Sequence, residues 1–246
     1  MPGPSAEAID AAFAVGVGDA AQWLPSTVIS RGAPLAPQVY RLIRRAIVSA
    51  QLMPGQIINE PDVAGTMSVS RTPVREALLR LQREGLVEIR PQAGTFVTSI
   101  DWARVEEGMI VREALEVRAI TTTVASLSSD VIDQLLDDTA EMQMACDAED
   151  LDLFTTADDR FHRHLLNASG YRHIPSIIEE ANGHLDRVRS LCRQMPQRMP
   201  QAIEEHQAII ERIKDRDATN SARAMNAHLQ SSWTVLRNLG KANGLL

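Results

Sequence analysis

The sequence has little of what marks secreted and membrane proteins. Its 246 residues include only two cysteines, Cys146 and Cys192, which excludes a disulfide-stapled fold and fits a reduced compartment. It has no apolar run of about 18 residues, which excludes a transmembrane helix. The N-terminus lacks the basic and apolar segments of a secretory signal. We therefore expect a cytoplasmic protein without a membrane partner.

Lysine is nearly absent, with Lys214 and Lys241 as its two representatives, so arginine supplies almost all of the positive charge. The net charge of −7 is distributed unevenly along the chain. Residues 36–98 hold eight arginines and five acidic residues, whereas residues 99–246 hold 16 basic and 24 acidic residues. A basic segment joined to an acidic one is typical of a DNA-binding module attached to another domain.

The N-terminal part of the chain has the pattern of a small mixed domain. Residues 1–33 are rich in Ala, Gly, Pro and Ser and lack periodicity, so we expect a mobile arm there. Within residues 34–100, the apolar spacing predicts two strands around a turn at 91–94, preceded by helices over 38–49, 60–66 and 71–84. Gly94 can supply the positive φ of a tight turn. Three helices followed by a hairpin are the layout of a winged helix-turn-helix.

From residue 101 to 246 we find helical periodicity and no strand pattern. Breaks at Gly, Pro, Ser and Asp positions divide this part into about six helices, over 102–127, 129–147, 151–169, 172–194, 200–216 and 218–240. We therefore expect an all-α bundle here, and a chain that is mainly α overall.

The predicted third helix has the properties of a DNA-recognition helix. Arg71 and Arg75 share one face, and that face lies away from the apolar side at Val74 and Leu78. Arginine can bind guanine through O6 and N7 together. Ser70 and Thr72 can bond phosphates, and either of them could cap the helix. The alternative is that both arginines are ordinary solvated charges.

These residues also carry a family resemblance. Residues 69–78 (VSRTPVREAL) and 84–87 (EGLV) resemble the signature of GntR-family regulators, and residues 94–97 (GTFV) resemble their wing. The resemblance implies that Arg71, Thr72, Arg75 and Gly94 contact DNA. Two positions depart from the family pattern, because Pro61 stands at a usual arginine and Ser68 at a usual glycine.

Four side chains of the C-terminal part could together hold a metal ion. Asp158 and His162 are four residues apart, so they point the same way from one helix, while His206 and His228 lie on later predicted helices. One carboxylate and three imidazoles suit a divalent transition metal. The alternative for each histidine is a hydrogen-bonded core residue. His164 should face away from His162, His173 lies at the start of a predicted helix, and His184 could line a cavity.

The C-terminal part is similar to the FCD ligand-binding domain of the FadR-type branch of GntR regulators. Its segments REALE at 112–116, DDRFH at 158–162, EHQAI at 205–209 and AHL at 227–229 carry this resemblance. It implies that Asp158, His162, His206 and His228 bind a divalent transition metal, zinc first, with nickel or manganese as alternatives. The helix count and this ligand set resemble the shorter, VanR-like subgroup. The resemblance also implies that Arg112 forks onto an effector carboxylate, whereas its residue spacing equally allows a surface pair with Glu116.

Together these features predict a transcription regulator and not an enzyme. Repression is the expected sign of control, with activation as the open alternative. We expect a homodimer on a palindromic operator, with DNA affinity controlled by a small organic acid bound at the metal. Two further alternatives remain open at this point. The metal could be purely structural, or Glu205 could act as a general base in a metal-dependent hydrolase.

Overall fold

A computed structural model of the protein describes residues 23–24, 29–191 and 198–242. Within these ranges the chain forms ten α-helices and a three-stranded antiparallel sheet, so the mainly helical fold is confirmed. The described residues divide into two compact units. The first contains residues up to Glu106, Glu180–Ser190 and the residues from Gly240, and the second contains Glu107–Glu179 and most of Leu191–Leu239.

The first unit is a winged helix-turn-helix, as predicted. Its elements in chain order are α1 (Leu35–Val48), β1 (Ile57–Ile58), α2 (Glu60–Thr66), α3 (Arg71–Arg83), β2 (Val87–Arg90) and β3 (Gly94–Val97). The central strand β3 pairs antiparallel with both β1 and β2. The sequence did not reveal β1, because two residues are too few to show alternation.

The core of the first unit forms between the apolar faces of α1 and α3. Residues three and four apart on a helix share a face, and these faces bury Ile43 and Ile47 from α1 with Leu78 and Leu81 from α3. Trp23 and Leu24, which belong to the predicted arm, are buried in the same core. The rest of the arm up to residue 28 lies outside the described residues, so its mobility stays a prediction.

Among the described residues of the first unit, six have a positive φ: Ala50, Gly55, Ser68, Gly85, Gln92 and Gly94. Gly85 has φ +75° and follows the end of α3, and Gly94 has φ +120° after the wing turn, as the sequence predicts for Gly94. Ser68 has φ +51°, so this serine adopts the conformation of the glycine that is usual at its position. The turn into α3 therefore keeps a glycine-like backbone.

The part of the chain from residue 101 onward is helical. Its helices are α4 (Trp102–Thr123), α5 (Ser129–Asp147), α6 (Leu151–Ala168), α7 (Ile174–Ala181), α8 (Gly183–Leu191), α9 (Arg198–Lys214) and α10 (Ala218–Ala242). Side-chain caps fix two of their starts, since Ser128 accepts a bond from the Val131 N–H and Asp150 from those of Asp152 and Leu153. No helix of the described ranges is long and apolar enough to cross a membrane.

The predicted helix over 172–194 is two helices, so this part has seven α-helices among the described residues where about six were expected. The break falls at Asn182, and Gly183 lies next to residues of the winged helix-turn-helix. A Cβ at Gly183 would lie 3.2 Å from Leu86 Cγ and 3.3 Å from the Glu84 carbonyl oxygen. Helix α8 thus packs with the winged helix-turn-helix, a long-range contact that helical periodicity does not encode.

Candidate nucleic-acid interface and metal centre

Helix α3 separates an apolar side from an exposed side. Val74, Leu78 and Leu81 are buried in the core of the first unit, and Pro73 occupies the first turn, where its missing N–H breaks no helical bond. The four predicted DNA-contacting residues at this end of the helix are all exposed: Ser70, Arg71, Thr72 and Arg75. The exposed side of α3 can therefore enter a groove without disturbing the core.

Ser70 occupies the N-cap position of α3 but does not cap the helix. Its backbone is extended, with φ −73° and ψ 166°, and its side chain makes no capping hydrogen bond. The first N–H groups of an α-helix have no partner within the helix. Without a side-chain cap from Ser70, those of α3 are available to a phosphate oxygen, and the Ser70 hydroxyl can bond one as well.

Arg75 has an acidic neighbour in the preceding helix. Its Nη2 lies 3.2 Å from Oε2 of Glu60, and its side chain is 66% exposed. Exposed ion pairs of this kind contribute about 0–1 kcal/mol. Glu60 therefore holds Arg75 weakly, and DNA can replace it as a partner at little cost.

The wing is the hairpin of β2 and β3. Arg90 and Gly94 are register partners at its tip, and both are exposed. Arg90 donates to Glu88 Oε2 at 2.7 Å, and its guanidinium carbon lies 4.7 Å from the centre of the Phe96 ring. These contacts orient a positive side chain at the tip beside Gly94.

The four predicted metal ligands come together in the second unit. Asp158 and His162 project from α6, His206 from α9 and His228 from α10, and one ligand atom of each lies within 4.8 Å of all the others. All four residues are buried. Two ligand atoms on one zinc ion can be at most about 4.2 Å apart, twice the Zn–N distance, so the cluster is close to the size of a single ion's ligand shell.

Each histidine of the cluster uses Nδ1 to bond a protein acceptor. Nδ1 lies 2.6 Å from Glu116 Oε2 in His162, 2.7 Å from the Ala202 carbonyl in His206, and 2.9 Å from Glu205 Oε2 in His228. Carbonyl and ionised carboxylate oxygens only accept, so Nδ1 carries the proton and donates. In a neutral imidazole of this tautomer, Nε2 keeps its lone pair, as a metal ligand must.

Two of these lone pairs are buried without a partner. Among the described residues, Nε2 of His162 and Nε2 of His206 have no hydrogen bond, although the latter lies 3.4 Å from Oδ1 of Asp158. An unsatisfied buried polar atom costs about 1–3 kcal/mol. A cation among these atoms would remove that cost, so the donor set fits a metal ion.

The surroundings of the cluster favour the neutral form of His206 and His228 and the ionised form of Glu205. Burial lowers the pKa of His206 well below its ordinary value, and the nearby His228 and His162 lower it further. Burial also lowers the pKa of His228, although Glu205 opposes it. Burial alone would raise the pKa of Glu205, but hydrogen bonds from His228 and Arg198 lower it to about 2.

Arg112 forms the predicted pair with Glu116, but inside the protein and not on its surface. Its Nε donates to Glu116 Oε1 at 2.6 Å, and both side chains are buried. Burial would raise the pKa of Glu116, yet the charge of Arg112 and the hydrogen bonds from His162 and Arg112 lower it well below its usual range. Contact between Arg112 and an effector stays a prediction.

The two carboxylates that contact the histidines carry no mark in the sequence. By sequence, Glu116 is a partner for Arg112 in the REALE segment, and Glu205 is a candidate general base. Glu205 instead accepts from His228 and Arg198. A carboxylate whose pKa is about 2 is a poor base at neutral pH.

Two other histidines lie elsewhere. His164 faces away from the cluster, as predicted, and its Nδ1 lies 2.7 Å from Asp138 Oδ2. His184, which could have lined a cavity, belongs to the first unit, where its Nε2 donates to the Gly85 carbonyl at 3.0 Å.

Comparison with known proteins gives matches over both units. Residues 35–97 match the model of the GntR family of bacterial regulatory proteins, and residues 107–231 match that of the FCD domain. The chain is 33% identical over 203 residues to an HTH-type transcriptional regulator in an unstable DNA locus of Streptomyces ambofaciens, covering 82% of this chain and 84% of that protein. It is 31% identical over 210 residues to the HTH-type transcriptional repressor RspR of Escherichia coli, covering 85% and 92%.

Solved structures agree in fold. McbR/YncC of E. coli superimposes with a TM-score of 0.75 at 20% identity, covering 84% of this chain and 99% of that one. A GntR-type transcriptional regulator from Rhodococcus sp. RHA1 gives a TM-score of 0.69 at 19% identity, covering 82% and 97%. The names of the matched families and relatives are those of transcription regulators and not of enzymes.

Proposed function

Because this chain belongs to the GntR family of bacterial regulatory proteins and carries an FCD domain, we propose that it is a metal-dependent, organic-acid-controlled repressor. Its family makes it a transcription regulator. The name of RspR, a repressor, supports the same sign of control here. The observation that carries the metal proposal is the pair of buried Nε2 atoms on His162 and His206, neither of which has a hydrogen bond.

The DNA-binding surface consists of the exposed side of α3 and the wing. Arg71 and Arg75 contact base edges or phosphates, Ser70 and Thr72 bond phosphates, and Gly94 lets the wing backbone approach the duplex. A homodimer places two such surfaces on a palindromic operator, one in each half-site. Phosphate contacts supply most of the affinity and make it fall with salt concentration.

DNA recognition is tested by selecting an operator from a random duplex library with the full chain. Arg75→Ala should then bind this operator about 10- to 100-fold more weakly, the cost of one bidentate contact to guanine. Arg212→Ala is the matched control, because Arg212 is an exposed arginine of α9 in the second unit. Failure to select any operator at low salt contradicts DNA binding, and equal affinity of Arg75→Ala contradicts the role of Arg75.

The second unit holds a divalent metal ion through Asp158, His162, His206 and His228. The mixed nitrogen and oxygen donor set fits zinc, nickel or manganese. When bound, the ion supplies a positive charge that a carboxylate can bind directly. Asp158, His162, His206 and His228 would hold the ion, and effector oxygens would complete its coordination. This ligand set also supports membership of the VanR-like subgroup.

Arg112 supplies the second anchor for the effector. It meets Glu116 through Nε, which leaves the two Nη groups of the guanidinium as donors for a carboxylate. Occupancy of the site then favours one packing of the second unit's helices and so changes DNA affinity. A tenfold change requires only about 1.4 kcal/mol of differential binding.

Metal binding is tested by elemental analysis of protein purified without chelator. The wild type should contain about one ion per chain, and the double variant His206→Ala, His228→Ala should contain none. His164→Ala is the matched control, because His164 lies on the same helix as His162 but pairs with Asp138. Equal metal content in the double variant would place the ion elsewhere.

A purely structural metal is distinguished by a thermal-shift screen of small organic acids. Acids that stabilise the metal-loaded protein and not the chelator-stripped protein support an effector at the ion. Equal stabilisation of both forms, or of neither, contradicts that part of the proposal.

A further inference from the structure

Two carboxylates lie directly behind the histidines of the cluster. Glu116 accepts from His162 Nδ1 at 2.6 Å, and Glu205 accepts from His228 Nδ1 at 2.9 Å. Neither is among the four residues whose ligand atoms converge. From these contacts, and resting on the proposed metal site, we infer that Glu116 and Glu205 are positioning residues that fix the tautomer and orientation of two metal ligands.

Each carboxylate is in turn held by an arginine. Glu116 receives Arg112 Nε at 2.6 Å, and Glu205 receives Nη1 and Nη2 of Arg198 at 3.0 and 2.6 Å. The result is two series of contacts in the same order, from arginine to carboxylate to imidazole. One ends at His162 on α6 and the other at His228 on α10. Such arrangements fix a ring's tautomer and increase its basicity as a ligand.

His206 lacks such a carboxylate. Its Nδ1 donates to the Ala202 carbonyl one turn earlier in α9, at 2.7 Å, so its own helix fixes the tautomer. The ring orientations of His162 and His228 are therefore fixed by side chains, which a substitution can remove, whereas that of His206 is fixed by the backbone. Neutralising either glutamate should disturb one ligand and leave the other two as they are.

The protein contains a matched control pair. His164 Nδ1 lies 2.7 Å from Asp138 Oδ2, and Asp138 also receives the Arg160 guanidinium, so this trio repeats the order arginine, carboxylate, imidazole. Yet His164 is not part of the cluster. Asp138→Asn thus removes an equivalent buried charge from the same unit without touching a proposed ligand.

The experiment measures zinc affinity of the chelator-stripped full chain by competition with a chromophoric chelator. Glu116→Gln and Glu205→Gln should each bind zinc about 10- to 100-fold more weakly than the wild type, the usual effect of removing an outer partner of a ligand. Asp138→Asn should bind like the wild type. The visible spectrum of the cobalt-loaded protein should change in both glutamine variants and stay unchanged in Asp138→Asn.

A second measurement needs no metal. Long-range proton–nitrogen NMR spectra of histidine-labelled, metal-free protein should show His162 and His228 with the proton on Nδ1. Glu116→Gln should give a mixture of tautomers for His162 alone, and Glu205→Gln for His228 alone. The assigned tautomer of His164 provides the internal reference.

The outcomes separate the two claims. A wild type that binds neither zinc nor cobalt overturns the proposed metal site, while the tautomer spectra still decide whether the carboxylates fix the rings. Wild-type affinity and wild-type tautomers in both glutamine variants overturn the positioning role. If Glu116→Gln does not fold, Glu205→Gln decides, because Glu205 is less buried.

Discussion

Arg44 in α1 and Asp186 in α8 lie 142 positions apart in the sequence, and Nη2 of the one donates to Oδ2 of the other at 2.6 Å. Nε of Arg44 also donates to Glu84 at 3.0 Å, beyond the end of α3. Burial would lower the pKa of Arg44, but these two carboxylates raise it above its ordinary value. Ion pairs thus connect α8, a helix from the C-terminal half of the sequence, to α1 and the end of α3 in the winged helix-turn-helix.

Asp186→Asn should lower the free energy of unfolding of the first unit by about 1–3 kcal/mol, since it leaves the partly buried charge of Arg44 with one partner fewer. Urea denaturation measures this loss, and native-state hydrogen exchange of amides in α1 and α8 shows whether it falls on these helices. Asp215→Asn is the control, because its pair with Arg212 is 3.6 Å long and exposed. Equal stability of Asp186→Asn and the wild type would mean that the ion pair does not hold α8.

His184 should make the first unit sensitive to acid. Burial, together with the charges of Arg187 and Arg104, lowers its pKa from an ordinary 6.5 to about 4, while the Gly85 carbonyl and Asp101 oppose the shift. Its Nδ1 accepts the Asp101 N–H at 3.0 Å, so a proton there would break that bond. Below the unfolded pKa the unfolded chain binds a proton that the folded state does not, so stability is full above pH 6.5 and falls toward pH 4.

The loss should reach about 3 kcal/mol at pH 4, because one pKa unit corresponds to about 1.4 kcal/mol. Denaturation of the wild type and of His184→Asn between pH 7 and pH 4.5 measures the difference in slope, which should approach one proton. His173→Asn, at an exposed position, should keep the wild-type slope. Parallel curves for His184→Asn and the wild type would show that His184 does not titrate abnormally.

Local patterns predicted the fold wherever the cause of the structure is local. The spacing of Val74, Leu78 and Leu81 predicted α3, and the spacing of Asp158 and His162 placed both on one face of α6. The break at Asn182 and the docking of α8 depend on contacts with residues about 100 positions earlier, such as Gly85, which periodicity does not contain.

The candidate metal site was predictable in its ligands and not in the residues behind them. Asp158 and the three histidines have donor atoms that a metal requires, and the resemblance singled them out. Glu116 and Glu205 are ordinary helical glutamates by sequence, and only the packing of α4, α6, α9 and α10 aims them at His162 and His228.

The substitution Ser68→Gly should stabilise the first unit. A left-handed conformation costs an L-residue about 1–2 kcal/mol, and glycine avoids this cost but loses more backbone entropy on folding. At φ +51°, Ser68→Gly should therefore stabilise the first unit by about 0.5–1 kcal/mol. Thr66→Gly, two residues earlier and within α2, should destabilise it. A loss of stability in Ser68→Gly, measured by urea denaturation, would contradict the argument.

Arg112→Lys should separate effector binding from metal binding. Lysine keeps the positive charge beside Glu116 but cannot offer the planar pair of donors that a carboxylate accepts. The variant should therefore retain its metal by elemental analysis. Its affinity for an acid that stabilises the wild type should fall about tenfold, which corresponds to about 1.4 kcal/mol. Isothermal titration of the metal-loaded protein measures this change.

Arg118→Lys, at an exposed position of the same helix α4, should bind the acid like the wild type. If Arg112→Lys loses the metal as well, Arg112 supports the ligands through Glu116. If it binds the acid unchanged, the effector's carboxylate meets other residues.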